Sequence, residues 1–351
     1  MNRTRILLAF MMLSISSFFA HGTTENTAKY IGFKKLTVKP SKAEPGFPIG
    51  LIYPTHTRDK AINVGPFKMR LAKGAKIAKG QYPLAIISHG SGSTNLAHRS
   101  IAFALVKAGF VVGVPLHPGN NFQNNSAAGS TDSWNDRPAH IKQAIDAVLA
   151  DKAVGKHINN EQIAVVGYSA GGYTALAAAG GKADTSHLIE FCQQGVIKDP
   201  MCKAVKAKKV KPQPLDDNYD PRIKAIVLMA PVGVLFQAED ALSNVKIPTL
   251  MLQAEKDQEL TEPYHATVIA NHFKDQALLS HCLVKNASHY AFITPFPAEI
   301  KDKLGKVAKD PKGFNRSQFH QQLTADINQY LLNALSAEPS DAFKPTSCTL
   351  L

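Results

Sequence analysis

Several features are scarce in this 351-residue sequence, and their scarcity excludes some classes of protein. Cysteine occurs four times and never as C-x-x-C, and no H-x-x-x-H pair occurs, so the sequence predicts no metal site. Beyond the N-terminus, no apolar run approaches the length of about 20 residues that a transmembrane helix needs. We therefore expect no stable membrane span in the mature chain.

Acidic residues are scarce as well: the sequence has 27 aspartates and glutamates and 40 lysines and arginines, which gives a formal net charge of +13. Such an excess is compatible with nucleic acid or an anionic surface as a partner. The densest basic segment is a lysine cluster formed by Lys203, Lys206, Lys208, Lys209 and Lys211. No nucleic-acid-binding motif accompanies it, so we expect no nucleic-acid partner. The cluster is typical of a solvated basic face, and contact with the anionic surface of a bacterial envelope stays open.

The first 22 residues have the three parts of a secretory signal peptide. Arg3 and Arg5 give a basic start, residues 6–20 are mostly apolar, and Ala20 and Gly22 offer small residues on either side of His21 for a cleavage site. A membrane anchor fits less well, because the apolar run is short and contains three serines. We predict a signal peptide over residues 1–22 and a single domain over 23–351, exported to the periplasm or secreted.

All four cysteines lie in the predicted mature chain, which is typical of proteins in oxidising compartments. Four cysteines allow three pairings. Cys192 and Cys202 are close in sequence, so we expect these two to form a disulfide, and Cys282 then pairs with Cys348. The second disulfide would hold the C-terminal tail to a late strand.

The order of apolar segments predicts an α/β fold with a mostly parallel central sheet and helices on both faces. An early strand at 50–54 and a hairpin or loop over 56–81 precede the buried strands, which are expected at 83–87, 110–114, 163–166, 223–229, 249–252 and 282–284. Helical spacing is found over 96–108, 136–149 (with Asp136 as a capping residue), 170–179 and 319–335. Residues 183–221 interrupt this alternation and predict an insertion, either a lid-like cap or a surface excursion tied by the first disulfide.

The segment Gly167-Tyr168-Ser169-Ala170-Gly171 has the form G-x-S-x-G. A β-favouring run precedes it and an alanine-rich segment follows, and this strand–turn–helix setting is what a nucleophile elbow requires. Ser169 is therefore the candidate nucleophile. The alternative is a serine that caps a helix between glycines needed for close packing.

A serine nucleophile needs a base, and the base needs an acid that orients it. In this architecture the acid follows the serine in sequence, and Asp257 stands after the strand predicted at 249–252. Glu255 and Glu259 flank it, and either could take its place if the turn is aimed differently.

His289 is the candidate base, because it follows the strand predicted at 282–284 and completes the order serine, acid, histidine. His281 lies before or within that strand, and His265 lies in a segment with helical character. Neither alternative is expected at a loop tip after a strand.

The oxyanion of an acyl-transfer reaction needs hydrogen-bond donors that are already in place. The N–H of Ala170, directly after the nucleophile, is one candidate. The other is the N–H of Ser91, in a loop of small residues that follows the strand at 83–87. His89 in the same loop is expected to have a structural role.

These residues resemble the α/β-hydrolase superfamily, and in particular its dienelactone-hydrolase-like and platelet-activating-factor-acetylhydrolase-like branch. The resemblance covers about residues 45–300 and rests on the segments at 87–90, 114–120, 136–138, 167–172, 220–225 and 286–289. It implies an α/β-hydrolase fold, with Ser169, Asp257 and His289 as the triad and Ser91 and Ala170 as the oxyanion hole. Dienelactone hydrolases proper use cysteine where this chain has serine, so the resemblance favours hydrolysis of ordinary esters.

The sequence as a whole predicts a serine hydrolase that cleaves carboxylic esters through an acyl-enzyme intermediate. A small-molecule ester or a lipid-like molecule is the expected substrate, and the mechanism requires no cofactor. Two alternatives stay open: an amidase or peptidase, and a binding protein that has kept the fold without catalysis.

Overall fold

The computed structural model of the protein describes residues 28–40, 46–195, 199–337 and 343–351. The predicted signal peptide over residues 1–22 lies outside these ranges. Among the residues within them, no helix is both long and apolar enough to cross a membrane.

A single eleven-stranded sheet runs through the described part of the chain. Its strands are β1 (Tyr30–Val38), β2 (Phe47–Thr55), β3 (Lys60–Val64), β4 (Phe67–Lys73), β5 (Tyr82–Ser88), β6 (Val111–Pro115), β7 (Ile158–Tyr168), β8 (Ile223–Met229), β9 (Thr249–Lys256), β10 (Leu279–Ser288) and β11 (Thr349–Leu350). Their spatial order is β11-β10-β9-β8-β7-β5-β6-β2-β1-β4-β3. The six strands from β10 to β6 are parallel, while β11 at one end and β2 next to β6 are antiparallel to their neighbours.

Helices cover both faces of the sheet, as predicted. They are α1 (Arg99–Lys107), α2 (Thr131–Leu149), α3 (Ala170–Ala178), α4 (Thr185–Gln193), α5 (Cys202–Lys206), α6 (Ala266–His272), α7 (Ala298–Lys301) and α8 (Arg316–Ala334). Successive residues of a strand point to opposite faces. In β5, accordingly, Leu84 and Ile86 pack in the core that contains α2 and α3, whereas Ala85 and Ile87 pack in the core that contains α1 and α8.

The start of α2 differs from the prediction, because the helix begins at Thr131 rather than at Asp136. The cap is Ser130, whose side chain accepts a hydrogen bond from the N–H of Ser133. The helix then continues through Pro138, which lacks the N–H that would bond to the carbonyl of Trp134. The Tyr173 hydroxyl donates to that carbonyl instead, at 2.9 Å, and so compensates for the missing bond.

Two segments in the first 81 residues compare differently with the sequence prediction. The hairpin or loop expected over 56–81 contains the antiparallel pair β3 and β4. Strand β1 was not predicted, and it pairs with β2 along its whole length. Its second half alternates between half-buried and exposed residues and carries lysines, so it lacks the continuous apolar run of the central strands.

The insertion over 183–221 contains α4 and α5, which a disulfide between Cys192 and Cys202 joins. A bridge between Asp184 and Pro214 closes the base of the insertion. A second disulfide links Cys282 in β10 to Cys348, just before β11. These are the two pairs expected from the sequence, and the described residues include no free cysteine.

Candidate active site

Ser169 lies in a sharp turn between the end of β7 and the start of α3. Its backbone has φ 55° and ψ −118°, a region that residues with a Cβ rarely adopt and that costs on the order of 1–3 kcal/mol. Backbone hydrogen bonds to the end of β8 and the segment after it help to hold it there: its N–H donates to Met229 at 2.9 Å, and its carbonyl accepts from Val232 at 3.2 Å. The turn therefore presents the serine hydroxyl beyond the carboxyl end of the strand.

The glycines around Ser169 are required by close backbone contacts. A Cβ at Gly167 would lie 2.0 Å from the carbonyl oxygen of Gly171, and one at Gly171 would lie 2.1 Å from the carbonyl oxygen of Ser88. Both distances are shorter than any van der Waals contact, and the opposing atoms belong to the backbone and cannot easily move. The motif thus fits the elbow because only glycine leaves room for the helix to approach β5 and β7.

The structure brings Ser169, His289 and Asp257 together in one hydrogen-bonded chain. His289 Nε2 lies 3.0 Å from the hydroxyl oxygen of Ser169, and His289 Nδ1 lies 2.7 Å from a carboxylate oxygen of Asp257. A carboxylate can only accept, so Nδ1 carries the proton and Nε2 is left as an acceptor facing the serine hydroxyl. The imidazole is therefore oriented as a base toward Ser169.

The supports of this chain come from loops that follow neighbouring strands. Asp257 stands directly after β9, and its other carboxylate oxygen accepts from the N–H groups of Glu259 and Leu260 at 2.9 and 2.8 Å. His289 follows β10, and the Tyr168 hydroxyl donates to its backbone carbonyl at 3.1 Å. Tyr168 was not singled out as a site residue, although it precedes the nucleophile in the motif.

None of the four alternative residues is hydrogen-bonded to Ser169 or His289 in the described part of the chain. Their partners lie elsewhere: Glu255 bonds to Lys285 and the N–H of Asn286, Glu259 to Lys306, His281 to Gln253, and His265 to Asp199. The hydrogen bond from the Asn286 N–H is also the main reason that the pKa of Glu255 is lowered.

The two candidate oxyanion donors, Ser91 and Ala170, both line the same cavity as Ser169. Ala170 is the first residue of α3, where an N–H has no acceptor within the helix and the helix dipole favours negative charge. The loop before Ser91 lies against the elbow, because a Cβ at Gly90 would approach the Tyr168 ring to 2.9 Å. The cavity wall near Ser169 thus contains both residues expected to bind an oxyanion.

The cavity has a volume of about 430 Å³. One part of its wall comes from the insertion, through Pro200, Met201, Lys203 and Ala204. The remaining wall is largely apolar and partly aromatic, including Trp134, Tyr168, Leu260, Tyr290 and Ile293. The insertion therefore contributes to the wall of the cavity.

Sequence reasoning missed a buried polar cluster behind the candidate oxyanion loop, which is the loop at 89–93 that carries Ser91. Arg137 is 1% exposed and His117 is completely buried, and both stand in segments that carry the family resemblance without an assigned role. His89 acts within this cluster: its Nε2 accepts from the N–H of His117 at 3.2 Å, so Nδ1 holds the proton and donates to the carbonyl of Gly90 at 2.7 Å. The expected structural role of His89 matches this geometry.

Groups of three or more histidine, cysteine and acidic side chains that could hold a metal ion do not occur among the residues described. The site itself offers a serine hydroxyl beside an oriented imidazole, at a cavity that two candidate oxyanion donors line.

Comparison with solved structures gives a match over nearly the whole chain. A ferulic acid esterase from Streptomyces cinnamoneus superposes with a TM-score of 0.62, covering 91% of this chain and 94% of that chain at 15% sequence identity. No protein-family model and no curated protein sequence matches the chain. At this identity the likeness concerns the fold. The protein has the α/β-hydrolase fold, with a mostly parallel sheet, helices on both faces and a small insertion tied by a disulfide.

Proposed function

We propose that the protein is a serine hydrolase that cleaves carboxylic esters through an acyl-enzyme intermediate. The observation that carries the proposal is the chain from Ser169 through His289 to Asp257, with separations of 3.0 and 2.7 Å at the mouth of a cavity. These are the distances at which a base can take a proton from a hydroxyl and a carboxylate can orient that base.

In the proposed reaction, His289 Nε2 takes the proton from Ser169 as the serine oxygen attacks the ester carbonyl carbon. The negative charge that develops on the carbonyl oxygen is stabilised by the N–H groups of Ser91 and Ala170. The intermediate collapses, the alcohol leaves with the proton from His289, and the acyl group stays on Ser169. His289 then takes a proton from a water molecule, which attacks the acyl-enzyme. The acid is released as His289 returns the proton to the oxygen of Ser169.

Asp257 keeps the imidazole in the required tautomer and stabilises the imidazolium that forms in each half of the reaction. Its two backbone hydrogen bonds, from Glu259 and Leu260, fix the carboxylate so that one oxygen points at His289 Nδ1. No metal or organic cofactor takes part in any of these steps.

The expected substrate is a small-molecule ester or a lipid-like molecule with an apolar acyl group. The apolar and aromatic part of the wall, including Trp134 and Met201, suits such a group. The structurally similar ferulic acid esterase acts, by its name, on esters of an aromatic acid. An aromatic acyl group is therefore a second chemical class to test.

The proposed place of action is outside the cytoplasm, in the periplasm or after secretion. The two disulfides support this, since such bonds persist mainly in oxidising compartments. The sequence over 1–22 adds the expected signal peptide. Fractionating cells that produce the full-length chain, followed by N-terminal sequencing, tests both points: a cytoplasmic, unprocessed chain would contradict them.

A hydrolysis profile tests the function itself. The substrates are 4-nitrophenyl esters from acetate to dodecanoate, methyl ferulate, and the 4-nitroanilide of the best acyl group. We expect turnover of esters, little of the anilide, and a loss of more than about 10³-fold in kcat for Ser169→Ala. Ser243→Ala is the matched control, because Ser243 does not line the cavity. Unchanged turnover in Ser169→Ala would contradict the assignment, and preferential turnover of the anilide would favour an amidase.

A further inference from the structure

Arg137 in α2 is a buried cation without an acidic partner. Its side chain is 1% exposed, and no carboxylate forms an ion pair with it in the described part of the chain. The other buried arginine, Arg316, is paired with Asp310 at 2.7 Å. Burying an unpaired charge is costly, so a fold that retains one needs strong compensating hydrogen bonds.

The compensation comes from neutral acceptors that belong to the two halves of the proposed oxyanion hole. On the side of the loop, Arg137 donates to the backbone carbonyl of His89 and, at 2.6 Å, to the side-chain oxygen of Asn120. The amide nitrogen of Asn120 in turn donates to the hydroxyl of Ser91 at 2.8 Å. The loop that carries the Ser91 N–H is thus held from behind by the guanidinium.

On the side of the helix, Arg137 Nε donates to the hydroxyl of Thr174 at 3.0 Å. That hydroxyl donates to the carbonyl of Ala170 at 2.7 Å, one turn earlier in α3. The first turn of α3 carries the other proposed oxyanion donor. One guanidinium therefore connects both donors, through Asn120 and through Thr174.

The histidines beside Arg137 add no charge of their own at neutral pH. Burial lowers the pKa of His89 and of His140 to about 3, and it lowers the pKa of His117 as well. Burial also lowers the pKa of Arg137, to about 9, which still leaves the guanidinium protonated at neutral pH. The cluster behind the oxyanion loop thus has one positive charge and no negative charge among these four side chains.

We propose that Arg137 is the positioning residue of the oxyanion hole: it sets the geometry of the Ser91 and Ala170 donors and supplies a fixed positive charge behind them. Asn120 transmits the positioning to Ser91. The inference rests on the proposed function, because it assigns a role within that reaction. The role applies when negative charge develops on the substrate, so it concerns the transition state more than substrate binding.

Asn120→Asp is the sharpest test. The new carboxylate would keep the contact with Arg137 as an ion pair, so the fold should be retained. It would, however, remove the donor to the Ser91 hydroxyl and to the side-chain oxygen of Asn125, and it would cancel the positive charge. We expect the midpoint of thermal unfolding to be unchanged or higher, kcat to fall by about 10²-fold, and KM to change by less than threefold.

Arg137→Met removes the charge and all of the clamping hydrogen bonds, and should lower kcat at least as much. Arg222→Met is its control: Arg222 is ion-paired with Asp146 and Asp220 and stands at the amino end of β8, away from Ser169. We expect Arg222→Met to lower the unfolding midpoint and to leave kcat within twofold. If Arg137→Met does not fold, Asn120→Asp still decides the question.

A second readout separates positioning from a general structural effect. A trifluoromethyl ketone with the acyl group of the best substrate forms a tetrahedral adduct with a serine and mimics the oxyanion. We expect its inhibition constant to rise in Asn120→Asp by about the factor by which kcat/KM falls. A folded Asn120→Asp variant with kcat within twofold of the wild type, or with equal changes in KM and inhibition constant, would overturn the inference. A wild-type protein that hydrolyses no ester would contradict the proposed function instead.

Discussion

Acid should destabilise this protein at a mild pH, because several histidines are buried in the neutral form. Burial lowers the pKa of His89, His98 and His140 to about 3, against about 6.5 in an unfolded chain. In each case the folded state excludes a proton that the unfolded state binds. Their contribution to stability is therefore complete above pH 6.5 and is lost as the pH falls from 6.5 toward 3.

The magnitude follows from the linkage between proton binding and folding. Between pH 6.5 and pH 5, one such histidine lowers the free energy of unfolding by roughly 1–2 kcal/mol, so the three together lower it by roughly 3–6 kcal/mol. His117 and His320, whose pKa values burial also lowers, act in the same direction. The whole free energy of unfolding of a natural domain is roughly 5–15 kcal/mol. We therefore expect the protein to lose a substantial part of its stability between pH 6.5 and pH 5.

Urea unfolding at several pH values between 7.5 and 5 measures this loss directly. The single tryptophan, Trp134, is buried and reports unfolding through its fluorescence. His98→Asn keeps a donor for the carbonyl of Phe292 and removes one titrating group, so it should reduce the loss by roughly 1–2 kcal/mol. His56→Asn, at an exposed position, should leave the loss unchanged. A total loss below roughly 2 kcal/mol over this interval would refute the reasoning.

Three further predictions concern the elbow, the disulfides and the acid. Gly171→Ala should cost about 3 kcal/mol or more in unfolding free energy and abolish activity, because its Cβ would lie 2.1 Å from the carbonyl oxygen of Ser88; thermal unfolding with an ester assay checks both. Removing the disulfide between Cys282 and Cys348, which closes a loop of 66 residues, should cost about 4 kcal/mol, against about 3 for the one between Cys192 and Cys202, as urea unfolding of the double alanine variants would measure. Asp257→Asn should lower kcat by about 10⁴-fold with an unchanged unfolding midpoint, because the imidazole would then be held in the wrong tautomer; a loss below tenfold would contradict its role.

The central strands could be predicted from the sequence because parallel strands buried on both faces are continuous apolar runs. Strands β5 and β8 illustrate this, since most of their residues are buried and they match the predicted segments closely. Strand β1 was not predicted because it lacks such a run: one half of it is only partly buried. Helix α2 begins five residues before the predicted start, because Ser130 caps it rather than Asp136. Both residue types are good caps, so the sequence does not distinguish them.

The candidate triad could be located because each of its members stands within five residues of the end of a predicted strand. The contacts of Arg137 could not, because its partners come from positions between 17 and 49 residues away in the sequence. Nothing local distinguishes an arginine inside a helix that faces solvent from one that faces a buried loop. The sequence marks the segment at 136–138 as a feature of the family resemblance, and the packing of α2 against α3 and the oxyanion loop gives it a physical role.

Covalent labelling tests the assignment of Ser169 as the nucleophile most directly. Intact-mass spectrometry after incubation with a fluorophosphonate should show one adduct per chain, and peptide mapping should place it on Ser169, which lies 3.0 Å from the imidazole proposed to activate it. Ser169→Ala should take up no label, and His289→Ala should be labelled far more slowly. A folded wild-type protein that remains unlabelled, or that is labelled at another serine, would contradict the assignment of Ser169 as the nucleophile.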